Sequence, residues 1–307
     1  METQPEIIPM YDCLSSVLKL YENCQINVLD KGFVRLVDAM PRLVPEGQTG
    51  DYAIAQMARV SYGQGTKTVS DDTGLIRYLM RHAHSSPLES IEFKFHVKAP
   101  LFVVQQLLRH RTASVNSESF RYSEVSDDFY VPAEDNVRVQ SKSNKQGGEE
   151  LADEKLTKEF RELLEDHSSM TYETYKTFLE QGVSREQARA FLPVNTYTQL
   201  YWKCDLKNLL HFLALRADSH AQQEIRVYAD AILNLIKPVV PITIAAWEDY
   251  HPMRGALMLT RLEVEALQKS LKSNVFTEID SVNKREKGEW VTKYSKLFNI
   301  GDGSHNG

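Results

Sequence analysis

Between Arg109 and Tyr122 the chain places three arginines, one histidine, three serines and one asparagine within fourteen residues. A guanidinium presents a planar fork of donors to phosphate oxygens, and each charge-assisted bond is worth roughly 1.5–3 kcal/mol. Serine and asparagine can fill the remaining phosphate lone pairs and read the edge of a base. The chemistry this implies is capture of a polyanionic small molecule. The same composition could also make a solvated basic loop. A second stretch that could carry chemistry runs from Leu213 to Ile225. On one continuous helix Phe212, Arg216, His220 and Glu224 stand four apart and share a face. Arg216 or His220 could simply pair with Glu224. Interleaving with Leu209, Leu213 and Ala217 predicts partial burial, and a buried guanidinium needs an anion.

Other reactive side chains carry less. His82 and His84 form a His-x-His pair with no acidic or cysteine partner nearby in sequence, so no metal is expected. Ser119 has no base in register, and an unassisted hydroxyl is a weak nucleophile, so it reads as a ligand to phosphate or base. Cys13, Cys24 and Cys204 lack metal-site spacing. Cys204 follows Tyr201-Trp202-Lys203, an apolar setting in which a thiol is usually buried and inert. No Gly-x-Gly-x-x-Gly appears, which argues against a dinucleotide held on a Rossmann crossover.

These residues need elements to position them. Ile91, Phe93, Phe95 and Val97 alternate with Glu92, Lys94, His96 and Lys98, the period of a half-buried strand. Pro100 then opens a short helix with Leu101, Val104 and Leu108 as its stripe and Val103 and Leu107 beside it. The arginine cluster begins at the end of that helix and continues as a loop. A strand and turn are expected from Ile26, and a helix at 53–62. A further helix runs from an Asp72 cap to about His82, and 134–150 is a loop. A long helix spans 150–181 and is ended by Gly182. Ser184 and Gln187 form a capping box for the short helix that carries Arg189. A strand covers 196–204, a second long helix 208–236, and a helical pattern 257–271 precedes a charged tail. Separated strands among long helices give an α+β class.

Composition bounds the rest. With 42% apolar residues in 307 the chain can bury a core. Its net charge of −6 argues against a general nucleic-acid binder, so the arginine cluster must act as a local positive field. The acidic start, Met-Glu-Thr-Gln-Pro-Glu, is no secretory signal. No apolar run approaches the roughly 18–20 residues that span a bilayer. Few cysteines fit a reducing compartment, and the expected location is the cytoplasm.

Arg109-His110-Arg111, seven residues and then Ser119, together with Leu213–Ile225, resemble the flavin-dependent thymidylate synthases, the ThyX family. The resemblance covers about 26–252 and leaves 1–25 and 253–307 as extensions, the latter partly helical and then a flexible tail. It implies a mixed β-sheet core flanked by long helices, in the subunit of a homotetramer whose active sites are shared between subunits. It implies reductive methylation of dUMP to dTMP, with methylenetetrahydrofolate as carbon donor and NADPH-reduced FAD as hydride donor. No cysteine nucleophile, nucleic acid or membrane takes part. Arg216 would activate the substrate. Gln106, Arg109, Ser117, Glu118, Ser119, Phe120, Arg121 and Arg189 would complete the dUMP site, with Arg189 reaching a neighbouring subunit's site. His84, Ser86, Glu89, Arg109, His110, Arg111, Asn116, Ser117, Asp205, Lys207, His211 and His220 would hold FAD.

The chain departs from the family pattern at four of these positions. Glutamate is common where Ser117 stands, a small residue where Phe120 stands, and asparagine at 205 and 211. Ionised Asp205 cannot donate a hydrogen bond, whereas His211 can. The alternatives are a flavin enzyme acting on another pyrimidine nucleotide, or a non-catalytic nucleotide- or RNA-binding module using Arg109–Tyr122 as a basic patch, in which aromatics interleave only at Phe120 and Tyr122.

Overall fold

The period-two segment forms the middle strand of a five-stranded sheet. In β3 (Glu92–Pro100) Phe93, Phe95 and Val97 are fully buried, as is Ile91 just before it, while Glu92, Lys94, His96 and Lys98 line the partly exposed face. The computed structural model describes residues 25–42, 44–61, 71–142, 147–218, 220–251 and 284–298, with four isolated positions between 261 and 267. Residues 1–24 and most of the helical pattern at 257–271 lie outside these. The chain divides into two compact units, 1–248 and 249–307.

β7 (Tyr197–Asp205) pairs with β3 along nine residues. β2 (Gly32–Met40) lies on the other side of β3 with a register shift between Leu36 and Asp38, and β1 (Gln25–Val28) pairs outside it. β4 (Ser114–Ser117) closes the far edge, giving the order β1-β2-β3-β7-β4. The α+β class stands, and within it every ladder is antiparallel. On the inner face Phe95 stacks on Trp202 at 6.1 Å, and Trp202 meets Phe212 at 5.0 Å. These rings bind sheet to helices in one core.

α1 (Asp51–Val60) and α2 (Asp72–Arg81) follow β2. The cap of α2 is Asp71, not Asp72: its carboxylate accepts from Thr73 N at 3.1 Å. α3 (Leu101–Leu107) buries Val103, Val104 and Leu107. Leu108 falls after the last helical residue and turns out, so the expected stripe is displaced by one. The expected loop at 134–150 is instead a 3₁₀ turn (Glu134–Asn136) and a small hairpin, β5 (Arg138–Gln140) and β6 (Gly148–Leu151). Those strands are too short for a periodic signal. α4 (Glu154–Glu180) starts at the Asp153 cap and stops before Gly182, whose φ is 89°. In α5 (Arg185–Ala188) Ser184 makes no side-chain cap bond, so the capping box does not form.

The largest departure follows β7. The helix expected over 208–236 is two, α6 (Leu206–Arg216) and α7 (Gln223–Ile236). Asp218 accepts from His220 N at 2.9 Å, an Asx turn that competes with helical backbone bonding and breaks the run. Phe212, Arg216, His220 and Glu224 therefore do not share one helical face.

α8 (Pro241–Tyr250) is tied to α1 by Asp51, which is 1% exposed and accepts from Ile242 N, Thr243 N, Thr243 Oγ1 and Thr49 Oγ1. Burial raises the Asp51 pKa and the four donors oppose the rise. In the second unit, α9 (Lys284–Phe298) occupies what was expected to be charged tail.

Candidate active site

α3 delivers the arginine cluster to the edge of the sheet. After Leu107 the backbone turns tightly, with Arg109 N on Gln106 O and His110 N on Leu107 O. It then enters β4, so the second part of the expected loop is an exposed edge strand. His110 points inward. Its ring meets Trp202 at 5.9 Å, Phe212 at 5.8 Å and His211 at 6.1 Å, and its Nε2 is 3.6 Å from Cys204 Sγ. Burial lowers its pKa, His211 and Arg216 act in the same direction, and Asp205 opposes them, so the neutral ring is favoured. Arg109 and Arg111 are exposed, and neither guanidinium has a hydrogen-bond or ion-pair partner among the described residues.

α6 runs alongside. Asp205 caps it, accepting from Asn208 N at 3.0 Å and from Asn208 Nδ2 at 2.6 Å. Lys207 in the first turn is ion-paired with Glu89. The 3₁₀ turn Ser86–Ser90, which carries Ser86 and Glu89, docks here through Leu206 N on Ile91 O at 2.8 Å. His84 precedes it and meets Tyr78 edge-on at 5.8 Å. Thus Glu89, His110, Asp205 and Lys207 lie near the end of β7 and the start of α6, with His211 beside His110, while Asn116 stands opposite Tyr201 in the middle of β7.

Arg216 ends α6, half-buried and without a carboxylate partner among the described residues. Glu224, its possible counter-ion on a continuous helix, instead accepts from Tyr130 Oη at 3.1 Å. His220 sits on the 217–222 turn against Asp218 at 2.7 Å. The eleven residues of α6 make it about 16 Å long, so His220 is distant from Asp205 and Lys207 along it. Gln106 bonds Gln222 at 2.6 Å, a neighbour that sequence spacing could not reveal because 116 positions separate the two.

The segment after β4 is held differently. Glu118 N bonds Gln199 O at 2.8 Å, and Phe120 is buried with Val125, Tyr175 and Ala188 in a small separate core. The bulky residue at 120 is therefore an anchor, its side chain enclosed in that small core. Arg121 pairs with Glu186 at 2.9 Å, and Arg189 Nε bonds Glu186 O at 3.3 Å, so these two candidate phosphate ligands lie close together.

Cys204 is 2% exposed, its Sγ lies 3.3 Å from Thr112 O, and burial pushes its pKa up to about 12. Such a thiol carries almost no thiolate at neutral pH. No cluster of three metal-ligating side chains occurs among the described residues, and no helix there is long and apolar enough to cross a membrane.

An α+β unit with unpaired guanidiniums beside a sheet edge defines a candidate anion-binding enzyme site. Residues 38–242 match the family model Thy1, thymidylate synthase complementing protein. The chain is 52% identical over 274 residues to the flavin-dependent thymidylate synthase of Dictyostelium discoideum, covering 89% of this chain and 88% of the relative. It is 51% identical over 251 residues to that of Thermus thermophilus, covering 82% and 87%. Among solved structures it is similar to the UMP/dUMP methylase PolB from Streptomyces cacaoi bound with 5-Br dUMP. That match has a TM-score of 0.63 and 34% identity, and covers 73% of this chain and 98% of the other. The chain belongs to the Thy1 family, the flavin-dependent thymidylate synthases.

Proposed function

We propose that this chain converts dUMP to dTMP. The reaction is dUMP + methylenetetrahydrofolate + NADPH + H⁺ → dTMP + tetrahydrofolate + NADP⁺, with FAD as the bound flavin. The observation that carries the reading is a set of three guanidiniums unpaired among the described residues: Arg109 and Arg111 in the turn that enters the exposed edge strand β4, and Arg216 at the end of α6, near enough to His110 to lower its pKa. Unpaired arginines held by a rigid sheet and helix call for an anionic ligand.

The donor set fits a flavin dinucleotide. Arg111, His84, Ser86, Asn116 and Lys207 are exposed near β4 and the start of α6, where backbone and side-chain donors suit pyrophosphate and hydroxyl groups. Bound there, FAD supplies the hydride chemistry. This chain's own part is binding and electrostatics. Uracil C5 is a poor nucleophile, and density reaches it when the ring is polarised toward its N3 anion. Arg216, half-buried and uncompensated, would stabilise charge growing at N3 or O4. Gln106 and Arg109 would orient the nucleotide, with Ser117, Glu118, Ser119 and the backbone at Phe120 lining its cradle and Arg121 and Arg189 at the phosphate. Neutral His110, wedged against Trp202 and Phe212, would fix the loop between the arginines. The buried Cys204 supports a mechanism without a cysteine nucleophile.

We further infer a homotetramer with shared sites. α4 buries only Thr157, Ser168 and Tyr175 among its 27 residues and exposes Leu156, Phe160, Leu163 and Met170. Such a stripe favours a protein partner.

The test is dTMP formation by the purified chain from dUMP, methylenetetrahydrofolate and NADPH, with and without FAD. Flavin-dependent dTMP is expected, and a folded, flavin-loaded protein that yields none would refute the reading. A second reading, methylation of UMP, is favoured by the substrate named for PolB. UMP supplied in place of dUMP separates the two.

A further inference from the structure

Arg121 differs from the other candidate ligands. Arg109, Arg111 and Arg216 have no ion-pair partner among the described residues, whereas Arg121 Nη2 lies 2.9 Å from Glu186 Oε2. The same glutamate takes Arg189 Nε on its main-chain carbonyl at 3.3 Å. One residue thus touches both arginines assigned to the phosphate.

The pair is not needed to hold the segment. Phe120 and Val125 are buried against Tyr175 and Ala188. Val125 N donates to Tyr175 Oη at 3.2 Å, and Tyr172 Oη donates to Val125 O at 3.2 Å. Glu124 also reaches Lys176 at 3.5 Å and Arg185 at 3.8 Å. The Arg121 and Glu186 side chains are 55% and 53% exposed, the setting in which an ion pair contributes little. A weak, structurally redundant pair on a ligand-binding arginine is an exchangeable counter-ion.

We propose that Glu186 is an internal competitor for the substrate phosphate. It neutralises Arg121 in the free protein, is displaced when a nucleoside monophosphate arrives, and thereby sets the affinity of the site for phosphate. This rests on the dUMP reading above. A dianionic phosphate near Arg121 must break the carboxylate contact and is repelled by that carboxylate while it stays close. Removing its charge removes both costs.

The test is Glu186→Gln in the full flavin-loaded protein, titrated calorimetrically with dUMP, deoxyuridine and inorganic phosphate. Kd and KM for dUMP should fall about two- to fivefold, the range that an exposed pair implies. Inorganic phosphate should bind more tightly by a similar factor, and deoxyuridine, which has no phosphate, should not change. Glu186→Asp should behave as the parent. Unchanged or weaker dUMP binding overturns the proposal, and so does an equal gain for deoxyuridine. If neither protein binds dUMP but phosphate still binds the variant more tightly, the competitor role stands and the nucleotide reading falls. Glu186→Ser provides the same comparison should the glutamine variant fold poorly.

Discussion

Arg216 and Cys204 stand on neighbouring elements of the same core and lead to opposite expectations. Arg216 is a half-buried cation with no carboxylate partner among the described residues, so its charge is available to a ligand. Arg216→Ala should lower kcat by roughly 10²–10³-fold, the loss typical of removing one preorganised charge-stabilising group, while the melting temperature stays near that of the parent. Cys204 is enclosed and its thiol is pushed up to about 12. Cys204→Ser should leave turnover largely intact, and complete loss in a folded variant would refute the proposed mechanism. Two histidines link residue chemistry to pH. His96 is stacked on Tyr201 at 4.8 Å and bonded to Gln199 at 2.9 Å. Its pKa is lowered from 6.5, chiefly by burial, and that of His110 is lowered likewise. A depressed histidine pKa means that folding favours the neutral ring. The contribution is full above the unfolded value and is lost as pH falls below it through the folded pKa. Denaturant titrations between about pH 7 and 5 should show falling stability, and His96→Gln should flatten part of that slope.

At the scale of elements, Asp205 is a cap before it is anything else. Its carboxylate occupies both donors offered by Asn208, so Asp205→Ala should cost about 1 kcal/mol of stability by loss of the cap. Asp205→Asn keeps an acceptor for the helix and gains a donor, so it should hold FAD at least as well as the parent. An asparagine variant that loses flavin would show that the carboxylate itself is the contact. The same helix marks where the sequence could and could not be read. β3 was legible because Phe93, Phe95 and Val97 alternate cleanly, and β7 because threonines and aromatics cluster before Asp205. The break between α6 and α7 was hidden. The spacing of Phe212, Arg216, His220 and Glu224 is helical throughout, and the Asp218 side chain bonding His220 N stands at the break. The hairpin at 138–151 was hidden because strands of three and four residues leave no period. The candidate site was legible as motifs, yet its long-range ties within the chain, Gln106 to Gln222 and Arg121 to Glu186, join residues whose distance in sequence gives no local pattern.

For the whole molecule, the unusual surface is that of α4. This 27-residue helix buries only three residues fully, and Leu163 and Met170 stand 61% and 59% exposed. Phe160 and Leu163 are three apart and Leu163 and Met170 seven, the spacing of one helical seam. If that seam packs on another subunit, burying it removes apolar area worth about 25 cal/mol per Å² from water. A charge placed there must then be buried unpaired or the contact must open. Phe160→Glu with Leu163→Glu should therefore shift the protein to smaller species in sedimentation while each chain keeps its far-ultraviolet dichroism. The proposed FAD ligands His84, Ser86, Arg111, Asn116 and Lys207 are exposed on one chain, so a shared site completed by a neighbour should empty when the neighbour leaves. Flavin absorbance and dTMP formation should fall together with the oligomer. A dispersed chain that still retains flavin and turns over would assign the seam to some other partner and the whole site to a single subunit.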